Sequence, residues 1–333
     1  MPSVDKPHSA ISALPGASRA PLPDFLSPQL ATLVADPPAG DHWLHELKFD
    51  GYRILARLDH GTVRLLSRNG RDWTSRLPGP AGAVRGVPAS RAMLDGEVAV
   101  FMPDGTTSFQ ALQNMFSGVE TGGSMAYVVF DLLHLDGQDL TGVPLEQRKA
   151  ALARILAGPP AGLRYSEHVV GGGRAFFARA CEVGLEGIIC KRRDAPYRGT
   201  RSADWLKVKC AREQEVVIGG YTDPEGSRVG IGALLAGVYE GTDLAYIGKI
   251  GTGFTSRTLH DLKARLARLA RPTSPFSIAT PRGTGIHWVK PQLVAQVKFT
   301  EWTSDGKLRH PSFQGLRADK APADVVRERP SKR

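Results

Sequence analysis

The chain has 333 residues, with 43 Lys and Arg against 33 Asp and Glu, a formal charge of +10. That length fits about two domains, and 41% apolar with 23% charged residues excludes a chain disordered throughout. No run approaches the ~18 apolar residues of a membrane span, and there is neither a His-Glu-x-x-His motif nor a glycine-rich phosphate loop ending in Gly-Lys-Ser or Gly-Lys-Thr.

The N-terminal stretch, rich in Pro, Ser and Ala, lacks the apolar centre of a secretory signal, so residues 1–20 are expected to form a flexible leader. Cys181, Cys190 and Cys210 are odd in number and form no Cys-x-x-Cys pair. They predict a reducing, cytoplasmic setting with neither a disulfide framework nor a zinc ribbon. Residues 21–38 scatter Leu and Phe among prolines and are read as a surface segment ahead of the fold. His42–Arg57 and Thr62–Ser67 alternate as paired strands joined at Asp59-His-Gly. Arg91–Phe101 is read as a further strand pair turning at its glycine, Phe109–Met115 as a short helix, and Tyr127–Leu133 as a buried strand.

Leu145, Leu152, Ile155 and Leu156 recur at helical spacing with Arg and Lys between them, which predicts an amphipathic helix. Gly173–Gly184 predicts another, capped by its last glycine. Glu186–Arg192 and Trp205–Lys209 read as strands. Beyond Cys210 come several short strands and one helix, Thr258–Ala270, a pattern suited to a small Greek-key barrel of oligonucleotide-binding (OB) type. Charge divides at the same place: residues 1–211 carry 24 basic and 21 acidic side chains, residues 212–333 carry 19 and 12. A basic excess favours polyanionic partners. The expected class is α+β, with an N-terminal domain at 21–211 made of antiparallel sheets with helices and an OB-type barrel at 212–333. The five tryptophans are read mainly as packing residues.

Charged islands interrupt short apolar strands, where charge is costly without a purpose. In order they are Lys48-Phe-Asp50-Gly51-Tyr-Arg53, Ser67-Arg68-Asn69-Gly70, Leu94-Asp95-Gly96-Glu97, Glu186-Gly187-Ile-Ile-Cys-Lys191, Trp205-Leu-Lys207-Val-Lys209 and Arg309-His-Pro-Ser-Phe, running on to Arg317-Ala-Asp319-Lys320. Each is weak alone. Together, with the aromatic strand Tyr127–Leu133, they resemble the ordered motifs of the covalent nucleotidyltransferases: DNA ligases, RNA ligases and capping enzymes. Leu22-Pro-Asp-Phe, Gly248-Lys-Ile-Gly-Thr-Gly-Phe254 and Glu301-Trp-Thr are similar to the ligase module of bacterial end-joining ligases of the LigD type. In many of these the module is fused to polymerase and phosphoesterase domains. A chain of 333 residues leaves room for neither, so a stand-alone ligase is expected.

The resemblance implies an ATP-dependent enzyme in which Lys48 is the adenylated nucleophile and Lys207, Lys209 and Arg309 assist catalysis. Arg53, Arg68 and Glu97 would contact the nucleotide sugar or the nick, and Phe130 would stack on adenine. Glu46, Lys191 and Arg201 join the nucleotide-binding set, and Arg317 and Lys320 act with Arg309 on the pyrophosphate. Implied partners are nicked or broken duplex DNA, a Ku-type end-binding protein and separate polymerase or phosphoesterase modules, with a monomeric enzyme and no membrane.

Chemistry gives independent reasons for this residue set. An amine nucleophile splits a difficult transfer into two easier ones, but a free lysine with a pKa near ~10.4 is protonated at neutral pH. Positive neighbours favour the free amine and a carboxylate opposes it. Glu97 and Glu186 are therefore read as ligands of Mg2+ or Mn2+, hard ions that take carboxylate, phosphate and water oxygens, or as partners supporting such ligands, rather than as bare neighbours of Lys48. RNA ligases and GTP-using capping enzymes remain alternatives within the superfamily, and a DNA-binding scaffold without catalysis outside it.

Overall fold

Asp59 and Thr62 close a two-residue turn in which His60 (φ 47°) and Gly61 (φ 81°) are both left-handed, the geometry that suits the right-handed twist of a hairpin. This turn joins Gly51–Asp59 to Thr62–Ser67. In this computed structural model, which describes residues 11–331 except 117, 225, 227 and 228, the hairpin belongs to a seven-stranded sheet. The path runs from Ser18–Arg19 through Gln138–Asp139, Ser124–Leu135, Arg91–Phe101 and Gly51–Asp59 to Thr62–Ser67, with Leu163–Tyr165 parallel to Ser124–Leu135. One face buries the main core, including Tyr52, Ile54, Leu94, Val98 and Leu152.

A second, five-stranded sheet has the order His168–Val170, Trp43–Leu47, Gly187–Arg192, Arg201–Lys209, Leu30–Leu33. Its pairs are antiparallel except the last, which is parallel. Helices Leu145–Ile155 and Gly173–Glu182 flank these sheets.

The chain forms two compact units, the first ending at Cys210 and including Pro330 and Ser331, the second spanning Ala211–Arg329. Ser331 N donates to Leu33 O at 2.9 Å, which ties this residue to the first unit rather than the second. The second unit is a five-stranded antiparallel sheet ordered Asp243–Ile250, Leu234–Glu240, Arg212–Thr222, Ile286–Phe299, Ser312–Leu316. A single parallel bridge between Thr252, just past the edge strand Asp243–Ile250, and Ser312 of the other edge strand brings the two edges together, as in an OB-type barrel. The helix Ser256–Ala267, capped by the Thr255 hydroxyl, buries Leu259, Leu262 and Leu266 against it.

Four expectations are corrected. Arg91–Phe101 is one continuous strand, not a turning pair. Gly96 is there for space: a Cβ would lie 2.4 Å from Val128 O and 2.5 Å from the Tyr127 ring. Residues 11–20 are not a loose leader, because Ile11 is buried in the main core and Ser18–Arg19 pairs with Gln138 and Asp139; residues 1–10 lie outside the described residues. The surface segment at 21–38 contains a sheet strand, Leu30–Leu33, and the buried residues Gln29 and Val34. Cys181 and Cys210 form a disulfide, since the end of one helix and the end of strand Arg201–Lys209 bring together positions 29 residues apart, a proximity that local spacing does not reveal. Cys190 lies outside this disulfide and is buried, as a small packed residue. Among the described residues no helix is long and apolar enough to cross a membrane.

Candidate active site

Residues two apart on a strand share a face, and residues directly opposite across a ladder share it too. The register aligns Leu44, Lys191 and Trp205 in one row and Glu46, Ile189 and Lys207 in the next. A third row follows where Lys48 N donates to Gly187 O at 2.9 Å and Gly187 lies opposite Lys209. One face of the five-stranded sheet therefore carries Glu46, Lys48, Lys191, Lys207, Lys209 and Trp205. The intervening residues, Trp43, Ile188, Cys190, Leu206 and Val208, form a separate core with Ala180 of helix Gly173–Glu182.

The seven-stranded sheet faces this surface. Phe130 meets Trp205 edge-on at 6.0 Å, and both join Leu55, Leu66 and Tyr197 in one buried cluster. Arg53 lies opposite Glu97 in the ladder. Its guanidinium donates twice to Asp95, each bond 2.6 Å, and sits 4.6 Å from the Phe130 ring centroid. Burial alone would lower the Arg53 pKa, but Asp95 raises it above the ordinary arginine range. Asp95 also accepts from the Tyr197 hydroxyl at 2.7 Å, and that hydroxyl accepts from Gln29 N at 2.9 Å. Arg53 is thus locked before any ligand arrives.

Lys48 Nζ donates to Glu186 Oε1. This corrects the expectation that Glu186 would not stand directly beside Lys48. The adjacent Gly187 has φ 150°, and a Cβ there would lie 2.0 Å from Val208 O. Only glycine lets the strand start close enough to hold Lys48 N and present Glu186 at once.

Glu46 is buried between two ammoniums: Lys149 Nζ is 2.7 Å from Oε1, and Lys191 Nζ is 2.8 Å from Oε2. Ser166 Oγ donates to Oε2 at 3.0 Å. Burial pushes the Glu46 pKa up, but Lys149 and Lys191 bring it below the ordinary carboxylate value. Burial lowers Lys191 to about 8, with Glu46 pulling upward and Lys149 adding to the fall. The Lys191 ammonium lies 4.3 Å from the Phe130 centroid and 4.2 Å from that of Trp205, within cation–π range.

The other expected residues are placed as follows. Arg68 sits in the turn after Thr62–Ser67, where Gly70 N donates to Ser67 O at 2.8 Å. Arg201 opens its strand, exposed, and donates to Ala31 O. Arg309, Arg317 and Lys320 belong to the second unit. There Arg309 pairs with Glu301 at 2.6 Å, Arg317 makes a two-point pair with Asp319, and Lys320 is 2.8 Å from Glu215. Among the described residues no group of three or more His, Cys, Asp and Glu gathers as a metal cage. A divalent ion held by Glu97 and Glu186 would complete its shell with phosphate and water oxygens.

Sequence reasoning missed Asp95 as the Arg53 clamp, Tyr197, Ser166 and the burial of two charged residues of helix Leu145–Ile155. Arg148 and Lys149, expected on its solvent side, are fully buried. Arg148 forms a two-point pair with Asp131, both bonds 2.8 Å. The available signal was Asp131 itself, an acid inside an apolar strand that requires a cation.

A lysine amine presented on a cation-lined sheet face, opposite an arginine–aromatic face and followed in the chain by an OB-type barrel, defines a covalent nucleotidyltransferase. Residues 28–209 match the family model of the ATP dependent DNA ligase domain, and residues 227–320 that of the ATP dependent DNA ligase C terminal region. The chain belongs to the ATP-dependent DNA ligase family. It is similar to the multifunctional non-homologous end joining protein LigD of Pseudomonas aeruginosa, at 46% identity over 319 residues, covering 94% of this chain and 38% of that protein. LigD of Mycobacterium tuberculosis is 42% identical over 311 residues, covering 92% of this chain and 40% of that protein. A solved structure described as mycobacterial DNA ligase D complexed with ATP and MES shares 40% identity with a TM-score of 0.68, over 92% of this chain and 99% of that one. The chain thus spans 38–40% of the length of these curated relatives.

Proposed function

We propose that this chain seals 5′-phosphate/3′-hydroxyl nicks in DNA and takes part in double-strand break repair by end joining. Lys48 loses a proton to solvent as it leaves Glu186, and its free amine attacks the α-phosphorus of ATP, forming the N–P bond of lysyl-AMP as the bond to the pyrophosphate leaving group breaks. AMP then passes to the 5′-phosphate at the nick, and the 3′-hydroxyl attacks that phosphate and expels AMP. Lys207 and Lys209 neutralise the charge on the phosphate in each step, work suited to preorganised cations in a partly buried site. Phe130 packs against adenine, while Arg53, Arg68 and Glu97 contact the sugar or the nick. Arg201 adds a phosphate contact. Arg309, Arg317 and Lys320 orient the pyrophosphate, which requires the second unit to close for the first step and open for DNA. Glu97 and Glu186 would hold Mg2+ or Mn2+, which when bound would further neutralise phosphate charge.

A Ku-type protein at DNA ends and separate polymerase or phosphoesterase modules are the partners this reading calls for, in the cytoplasm at the nucleoid, with the enzyme acting as a monomer. The observation that carries the reading is the shared face of Lys48, Lys207 and Lys209 opposite Phe130 and Arg53. The test is intact-mass measurement after incubation with ATP and metal, followed by a chase with nicked duplex. One AMP adduct lost on the chase, and absent in Lys48→Ala, supports it. No adduct with ATP or GTP, under Mg2+ or Mn2+, refutes it.

A further inference from the structure

Glu46 has one carboxylate and two buried ammonium partners, an arrangement that stability alone does not explain. A buried pair needs one cation, and a second brings its own desolvation cost. Lys149 comes from the helix Leu145–Ile155, and its Nζ also donates to Ser166 O at 3.0 Å and lies 4.6 Å from the Tyr165 ring centroid. All its directions are taken by protein groups. Lys191, by contrast, faces the Phe130 and Trp205 rings on the surface that carries Lys48.

Removing one member of a simple buried pair leaves the other as an unpaired charge, which is strongly unfavourable. In this trio, withdrawal of Lys191 leaves Glu46 still paired with Lys149 and still accepting from Ser166. We propose that Lys149 is a positioning residue that makes Lys191 releasable: by keeping its own ion pair with Glu46, it lets the Lys191 ammonium leave that carboxylate for a nucleotide phosphate during adenylyl transfer. This rests on the reading of Lys48 as the adenylated nucleophile.

The protonation balance agrees with the geometry. Burial opposes the Lys149 charge, yet Glu46 holds its pKa above the ordinary lysine value, whereas Lys191 falls to about 8. The other charged group acting on Lys191 is Asp131, and His168 stands near both lysines.

The test uses the full chain and the variants Lys149→Met and Lys149→Arg. Single-turnover lysyl-AMP formation is followed against ATP concentration, and the Lys191 titration by NMR of 13Cε-labelled lysine. Lys149→Met should slow the maximal adenylylation rate ~10-fold or more and raise the Lys191 midpoint by about one unit, because Lys191 then becomes the only cation on Glu46. Lys149→Arg should restore both. The double variant Glu46→Gln/Lys149→Met should recover rate relative to Lys149→Met, a coupling that independent sites would not show. An unchanged rate, or equal losses in both single variants with the midpoint unmoved, overturns the proposal. Should Lys149→Met fail to fold, the wild-type chain decides: adding α,β-methylene-ATP should shift the Lys191 ε-signals and leave those of Lys149 in place, and the reverse pattern overturns it. Absence of lysyl-AMP in the wild type would instead refute the underlying reading.

Discussion

Lys48, just past the end of strand Trp43–Leu47, meets Glu186, just before the start of the antiparallel strand Gly187–Arg192, side chain to side chain, while the Lys48 amide donates to the neighbouring Gly187 carbonyl at 2.9 Å. On the proposed function, Lys48 must leave this carboxylate in order to react. Glu186→Gln keeps the shape and an acceptor but removes the charge. Removing the charge frees the amine, but it also removes a proposed ligand of the divalent ion, and that loss should dominate: lysyl-AMP formation should fall by ~100-fold, the scale of a lost charge-stabilising group. Rapid-quench measurement of the first step checks this, and a variant that adenylates at the wild-type rate would assign Glu186 to packing.

Arg309 pairs with Glu301 in an exposed setting, where such a pair adds little stability. Arg309→Ala should therefore melt close to wild type. Its lysyl-AMP formation should drop ~100-fold, while sealing of pre-adenylylated nicks changes only a few-fold. Equal loss of both activities would count against a pyrophosphate role.

The Tyr197 hydroxyl links Asp95 to Gln29 N in a buried position. Tyr197→Phe leaves a buried N–H without its acceptor, a cost of about 1–3 kcal/mol, and loosens the Asp95 clamp on Arg53. We expect a lower melting temperature together with a rise of ~3–10-fold in the ATP concentration needed for half-maximal adenylylation, a difference of about 1 kcal/mol. Calorimetry and single-turnover titration read the two effects separately.

Glu215 gives the second unit an acid-sensitive link. Burial raises its pKa, but Lys320 and Arg317 outweigh burial and hold it at about 2, against an ordinary value of 4.5. A depressed carboxylate pKa adds stability that is complete above pH 4.5 and is lost as the pH falls toward 2. Glu215→Gln should be less stable than wild type at pH 7 by up to about 3 kcal/mol, and the gap should narrow through that window. Urea unfolding at stepped pH measures it; a constant gap would refute the assignment.

Much of this architecture is legible from alternation and turn chemistry. Lys48, Lys191, Lys207 and Lys209 fall on one face because strand periodicity is two and the ladders hold register, and Asp59-His-Gly announces its own hairpin. What escaped notice depends on the third dimension. Gly96 looks like a turn because a strand glycine and a turn glycine are indistinguishable until the Val128 carbonyl is seen in the place of its side chain. Arg148 and Lys149 look solvated because helical spacing marks the apolar stripe, while the demand for cations comes from Asp131 and Glu46 on distant strands. The strands Leu30–Leu33 and Ser18–Arg19 are too short to declare themselves and exist through their partners.

Trp205 has a practical consequence. Its indole is nearly buried, meets Phe130 edge-on and lies 4.2 Å from the Lys191 ammonium, so the molecule carries an optical gauge within its own site. Any occupant that draws Lys191 away alters the electric field across that indole, and its ultraviolet emission should report the event in real time, without dye or label.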